Sequence, residues 1–324
     1  MTLNKRYIRN IKQNRSFYIC MSFLTMLAVM LNIILNGALV EEKKYLDDFF
    51  EKTKVEDGQF NTYKEIGQDD ISSLEDTYDV ILEKQSYADY EVSDKKTVRI
   101  FRENEKLNLY EIAEGEDLAG DDDILLSLNF AATGNYALGD TFEVYDKEYT
   151  IKGYFVKPDY LTTFENLTDN FAEPSKFGIA VVSRDAFDRI TSDEVNNYYS
   201  VVYQNKEQEA DFRNTVYEDY MTFRYMGADS NSRITTAKDT VERMDKVAVA
   251  VLPFMLILVI LLTGVILARR VKADEKQIGI LTALGYKKGA LSFHYSIFGV
   301  IPGVIGSILG IVLGATVLPK AGGK

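Results

Sequence analysis

Residues 17–40 read FYICMSFLTMLAVMLNIILNGALV, a run with no charged side chain. At 1.5 Å per residue, about 20 helical residues cross the ~30 Å hydrocarbon core of a bilayer. Backbone polar groups in lipid must be satisfied within the segment, so the expected form is a transmembrane helix. Two further stretches meet the same test. Val247 to Ala268 carries no charge, and Leu291 to Leu318 holds no Asp, Glu, Lys or Arg and one histidine, His294. Pro253 and Pro302 lie inside these stretches and are expected to mark kinks, because neighbouring groups in a membrane protein take up the freed carbonyls. The first stretch has the basic lead of a signal peptide. Its apolar run exceeds the usual ~7–15 residues, however, and no clear A-x-A site follows it, only Gly37-Ala38.

Charge orients the three spans. Lys5, Arg6, Arg9, Lys12 and Arg15 precede the first, and Arg269, Arg270, Lys272, Lys276, Lys287 and Lys288 lie between the second and third. Short loops rich in Lys and Arg stay in the cytoplasm. The expected layout is therefore a cytoplasmic N-terminus (1–16), a span (17–40), an extracellular part (41–246), a span (247–268), a cytoplasmic loop (269–290), a span (291–318) and an extracellular end (319–324). The whole chain carries −12. The N-terminus contributes five positive charges, the inner loop a net four and the end two, which leaves −23 for residues 41–246. Such a domain repels nucleic acid and anionic lipid surfaces. It suits plain solvation, or a cationic ligand. Cys20 is the only cysteine, so no intramolecular disulfide holds that domain together.

Within 41–246 the pattern is mixed. Leu39, Tyr45, Leu46, Phe49 and Phe50 recur at helical spacing, as do Ile234, Val241, Met244 and Val247, so both flanking spans are expected to continue outward as helical stalks. Thr97–Phe101, Phe177–Ser183, Ser200–Tyr203 and, more weakly, Asp79–Leu82 read as strands. Thr141–Tyr145 and Glu148–Val156 form a hairpin about Asp146-Lys147. Helices are expected from Ser183 to Ile190 and from Lys206 to Tyr220. The fold class is three transmembrane helices plus an extracellular α+β domain, in two lobes.

Catalytic chemistry is missing from the sequence. It holds no G-x-x-x-x-G-K-[ST], H-E-x-x-H or G-x-S-x-G motif, and the single His294, near the inner end of the third span, reads as an interfacial or packed histidine. Asp121-Asp122-Asp123 lacks the alternating ligands and the glycine of a calcium loop and reads as a solvated turn. No metal site, cofactor or catalytic residue is expected. Two membrane features stand out instead. Gly299, Gly303, Gly306, Gly310 and Gly314 fall near one face of the third span, a surface on which another helix can approach closely. Ala273 to Leu284 forms a short amphipathic helix capped by Gly285, with Ile278, Leu281 and Leu284 near one face. It can dock a partner or lie on lipid headgroups.

The stretch Glu275-Lys276-Gln277-Ile278-Gly279-Ile280-Leu281-Thr282-Ala283-Leu284-Gly285, with Tyr286-Lys287-Lys288 after it and a glycine-rich span beyond, resembles the coupling segment of the FtsX-like permeases. Gly115-Glu116-Asp117-Leu118, Asp123 to Ser127, Ala131, and Leu138-Gly139-Asp140-Thr141 with a hairpin ending Ile151-Lys152-Gly153-Tyr154 are similar to the MacB-like extracellular core. The resemblance implies the permease subunit of an ABC transporter of the MacB, LolC and FtsX type. Glu275, Lys276, Gln277, Ile278, Leu281, Leu284 and Gly285 would then couple it to a separate ATPase subunit. It further implies a lipid, peptide or drug-like substrate, or, in the division-type relatives, force or signal relayed to a cell-wall hydrolase. Residues 45–110 match that pattern weakly. The family's fourth span does not follow the third, so the chain is expected to be truncated or the leading part of a longer permease, the alternative being a complete three-span subunit, and a second permease half or subunit is expected as a partner.

Overall fold

The computed structural model describes residues 15–93, 95–190 and 195–321. The basic residues Lys5, Arg6, Arg9 and Lys12, and Lys324 at the other end, lie outside them. The chain divides into two compact units. One is drawn from residues up to Lys44 and from Val241 on, the other is Tyr45–Thr240. The flanking boundaries at 41 and 246 read from the sequence differ from these by a few residues.

Helix α1 (Arg15–Lys52) is continuous. In the second unit, β1 (Gly58–Thr62), α2 (Gln68–Tyr78), β2 (Val80–Ser93), β3 (Lys96–Arg102), β4 (Glu111–Gly115), β5 (Asp123–Ser127) and α3 (Leu128–Gly134) follow. Then come β6 (Thr141–Val144), β7 (Lys147–Val156), β8 (Phe177–Val182), α4 (Arg184–Asp188), β9 (Asn196–Tyr203), α5 (Glu209–Tyr220) and β10 (Thr222–Gly227). The strands make one mixed sheet in the order β10-β1-β9-β2-β3-β8-β5-β7-β4, with β6 also paired to β7. The β3–β8 and β5–β7 pairs are parallel, which no hairpin can supply.

The strand period of two sorts the core. Val98, Ile100, Ile124, Leu126, Ala180 and Val182 point to the face covered by Phe130 of α3 and by Ala186 and Phe187 of α4. Phe101, Leu125, Ile179 and Val181 point the other way, against Phe155 and Tyr160. Strands β5 and β8 are therefore buried at every residue, and β8 reads as an unbroken apolar run, while β5 holds Ile124, Leu125 and Leu126 between the polar Asp123 and Ser127. A third cluster packs Phe60, Leu82 and Val201 under α2 and α5 through Leu74, Phe212 and Val216.

The two lobes expected from the sequence are in fact two helical layers on one sheet. The 14-residue β2 joins them: Val80 to Tyr87 pairs with β9, and Tyr87 to Ser93 pairs with β3. Only its first residues are apolar enough to read as a strand, because the remainder, LEKQSYADYEVS, mixes charges and tyrosines. The hairpin turn also moves by one residue. Val144 pairs with Lys147, so Tyr145 and Asp146 form the turn, with φ of 47° and 61°. A two-residue hairpin loop of this twist needs positive φ at both positions. Tyr145 is held there by tertiary contacts, its hydroxyl on the Asp89 carbonyl at 2.9 Å and its ring 4.9 Å from that of Tyr90. The helix expected to reach Ile190 ends at Asp188, and Ser183 caps it by accepting from Ala186 N at 3.1 Å. The helix expected from Lys206 begins as a 3₁₀ turn, Lys206–Gln208, before α5.

The remaining helices are α6 (Ser232–Ala273), α7 (Glu275–Ala283) and α8 (Lys288–Ala321). Neither Pro253 nor Pro302 ends its helix. Helices α1, α6 and α8 are each long and apolar enough to cross a membrane. Their polar side chains turn back on their own backbones: Thr25 Oγ1 donates to Met21 O, Asn36 Nδ2 to Asn32 O and Thr263 Oγ1 to Val259 O, at 3.0, 2.9 and 2.6 Å. Each donor is thus satisfied without water, as lipid requires.

Candidate functional site

The short helix α7 is set between two long ones by distinct breaks. Asp274 separates it from α6. Its carbonyl accepts from Ile278 N at 2.9 Å, while its carboxylate accepts from the Tyr295 hydroxyl of α8 at 3.2 Å. The other end is a two-bond Schellman closure: Tyr286 N donates to Leu281 O at 3.1 Å and Gly285 N to Thr282 O at 3.0 Å. Gly285 sits at φ 89°, where a β-carbon is strained, so glycine is required for this stop. Ile278 and Leu281 are half-buried. Leu284 caps the helix and is exposed, as are Glu275, Lys276, Gln277 and Ile280. The three apolar residues that spacing put on one face are thus divided, and Ile280, which spacing did not select, joins Leu284 on the open surface at 62% and 72% exposure.

The glycines of α8 are divided as well. A β-carbon on Gly306 would meet Ser22 O and Thr25 Cβ of α1, and one on Gly310 would lie 2.7 Å from Met26 O and 2.8 Å from Val29 Cβ. One on Gly314 would lie 3.0 Å from Ile33 Cβ. Gly299 instead faces Thr263 of α6, at 3.1 Å, and Gly303 faces open space. Lys43 and Asp245 add an ion pair between α1 and α6 at 2.9 Å. His294 packs edge-on to the rings of Tyr295 and Phe298, with centroids 5.6 and 5.2 Å away.

The three consecutive aspartates are dispersed among separate tasks. Asp121 accepts from Ser183 Oγ at 2.8 Å and pairs with Arg189, and Asp122 pairs with Lys147 at 3.3 Å. Asp123, buried at the start of β5, accepts from the backbone N–H groups of Ala119 and Gly120 at 2.9 Å each. Among the described residues no group of three or more His, Cys, Asp and Glu side chains is placed to hold a metal ion.

Sequence patterning missed a buried polar cluster between the end of α1 and the sheet. Lys157 Nζ donates to both oxygens of Asp159 at 2.6 Å, with each side chain 1% exposed. Tyr198, on β9, donates to Asp159 at 3.3 Å. Glu56, four residues beyond α1, accepts from Ser200 Oγ at 2.6 Å and Asn108 Nδ2 at 2.9 Å. Burial, and then the charge of Asp159, push the Glu56 carboxyl up to about 7, against the pull of Ser200, Asn108 and Lys157. Burial likewise holds the Tyr198 hydroxyl well above its usual range. The Lys157 ammonium is thus taken up by Asp159, and burial beside that charge favours the protonated form of Glu56.

This has a pH signature. Unfolded, Glu56 ionises near 4.5; folded, near 7. As pH rises through that window the unfolded state releases its proton first, so stability falls, by roughly 3 kcal/mol from this group. Glu56→Gln is expected to remove that fall and to raise the unfolding temperature of the full chain in detergent at pH 8 far more than at pH 5. Equal changes at both pH values would contradict the assignment.

Residues 249–321 match the family model of the FtsX-like permease C-terminal domain. No curated protein matches the chain. Among solved structures, the extracellular domain of the noncanonic ABC-type transporter YknZ from Gram-positive bacteria aligns at 11% identity. The alignment covers 51% of this chain and 89% of that one, with a TM-score of 0.29. The part of the chain similar to an FtsX-like permease is therefore the pair of long apolar helices, α6 and α8, with the short helix α7 between them.

Proposed function

We propose that the chain is the permease subunit of an ABC-type transporter, driven by an ATPase on a separate polypeptide. The observation that carries this reading is α7, a short, rigidly capped helix with exposed apolar side chains, inside the segment that matches the permease family. Exposed Ile280 and Leu284, flanked by Glu275 and Lys276, give such an ATPase an apolar contact with a polar rim. The basic residues around α7 favour a cytoplasmic position for it, and in this reading Tyr45–Thr240 lies outside. In this reading the glycines of α8 serve helix packing, and a second permease half or copy completes the membrane assembly. ATP-driven closure of the partner moves α7, and the long helices transmit the motion to the outer domain for export or extraction of a substrate.

The test is reconstitution with the ATPase that co-purifies with the chain. Ile280→Asp with Leu284→Asp leaves the half-buried Ile278 and Leu281 in place. It is expected to lower ATPase binding and stimulation at least about tenfold, as burying unpaired charge in an interface core does. Unchanged binding would sink the coupling role of α7.

A further inference from the structure

The domain spanning residues 41–246 carries an excess of 23 negative charges, yet one of its cavities is lined the opposite way. This cavity, of about 340 Å³, opens between β1, β2, β3, β9, β10, the first turn of α6 and residues 160–168. Arg99, Arg224 and Arg233 line it, with Glu165 as the one carboxylate. Tyr87, Tyr160 and Tyr198 supply aromatic walls. Its size falls at the lower end of small-ligand sites.

The three arginines differ in how their charge is met. Arg99 is neutralised by Asp89, which takes Nε at 2.7 Å and Nη2 at 2.8 Å. Arg233 is not neutralised. It is 7% exposed, and Nε and Nη2 donate only to main-chain carbonyls, Phe164 O at 2.9 Å and Glu165 O at 2.5 Å. Its guanidinium lies 4.3 Å from the centre of the Tyr160 ring. Among the described residues it has no ion pair, and its Nη1 donates to nothing. Arg224, exposed on β10, has no ion pair either. A buried guanidinium without a counter-charge is costly to hold, whereas an oxyanion beside it recovers that cost through charge-assisted, bidentate hydrogen bonds. Carbonyl partners fix the plane of Arg233 and leave its Nη1 edge open to receive such a group. Tyr160 already accepts from Arg99 Nη1 at 2.8 Å, so its own hydroxyl proton is free to be donated.

We infer that this cavity binds the oxyanion, phosphate or carboxylate, of a small molecule whose remaining part lies against the tyrosines, with Arg233 and Arg224 as its charged contacts. The site is tied directly to the start of α6. Besides the two Arg233 bonds, Ser232 Oγ donates to Leu167 O at 2.9 Å and Thr162 N to Arg233 O at 3.0 Å. An occupant would join β10, the 160–168 segment and the first turn of α6 through one set of contacts. The inference does not depend on the transporter reading.

The experiment is calorimetric titration of phenyl phosphate into the full chain in nanodiscs of zwitterionic phosphatidylcholine. Saturable binding of one equivalent is expected at about millimolar affinity or tighter, weakening as salt rises. Arg233 is buried and its loss can disturb the fold, so the deciding variant is the exposed Arg224→Gln. It should weaken binding at least about tenfold with an unchanged unfolding temperature. Phenol, which has the ring without the charge, should bind far more weakly. No saturable binding, equal affinity in Arg224→Gln, or equal affinity for phenol would each overturn the proposal. Repeating the titration in nanodiscs containing phosphatidic acid separates the sources: loss of the phenyl phosphate signal by competition identifies a lipid headgroup as the occupant, and an unchanged signal a soluble anion.

Discussion

Lys157→Met is expected to destabilise the Tyr45–Thr240 domain by about 3–5 kcal/mol, the usual result of removing one partner from a buried ion pair. Asp159 would remain 1% exposed, left with the Tyr198 hydroxyl at 3.3 Å and with Glu56 close enough to raise its own proton affinity through the Asp159 charge. The loss should be larger at pH 8 than at pH 5. Lys157 is one of the groups that pull the Glu56 carboxyl down, so without it Glu56 holds its proton more tightly, and ionising it at pH 8 costs the folded state more than at pH 5, where it stays protonated in either protein. Adding Asp159→Leu should restore most of the stability, since a buried pair replaced by apolar groups of similar volume is often neutral. Unfolding of the three proteins at both pH values, followed by tyrosine fluorescence in detergent, reads all of this. A double variant as unstable as the single one would assign the effect to lost packing over the Phe101 ring, which the Lys157 ammonium overlies at 4.8 Å.

Gly310→Leu is expected to separate α8 from α1. The first added carbon already lies 2.7 Å from a backbone oxygen, Met26 O, which cannot rotate away as a side chain does. Overpacking of this kind costs about 1–3 kcal/mol, and in lipid, where close packing is the main attraction between helices, there is little else to hold the pair. Gly303→Leu, with open space around the site, is the matched control and should change stability by no more than about 0.5 kcal/mol. Thermal unfolding in nanodiscs compares the two. Equal losses would mean that helix propensity or lipid contact, not the approach to α1, governs this face.

The three long apolar helices were legible because their signal is local: a long run without charge is expected to be helical wherever lipid surrounds it. Strands such as β8, apolar at every position, were legible for a similar reason. What the sequence concealed depends on distant partners. The latter half of β2 is polar and becomes a strand only because β3 lies along it. Tyr145 is a poor residue for positive φ, and its place in the turn depends on Asp89 and Tyr90, more than fifty residues earlier. Site residues show the same division. The Gly285 stop was readable from one glycine after a helical run, whereas Ile280 and Leu281 exchange roles because exposure is set by neighbouring helices rather than by spacing. Lys157, Asp159 and Glu56 look like ordinary surface residues along the chain. Only the fold encloses them.

Strands β1 and β10 are antiparallel neighbours, and Gly58, which opens one, pairs with Gly227, which closes the other. The chain thus enters and leaves the sheet at adjoining residues of the same ladder end. Tension that drew those two points apart would load the ladder like a zipper, one hydrogen-bonded rung at a time, beginning at the bond from Ala228 N to Asp57 O just outside Gly58 and Gly227. Displacement of both points together would load no rung at all. The domain is therefore suited to being carried as a rigid body, and poorly suited to being stretched.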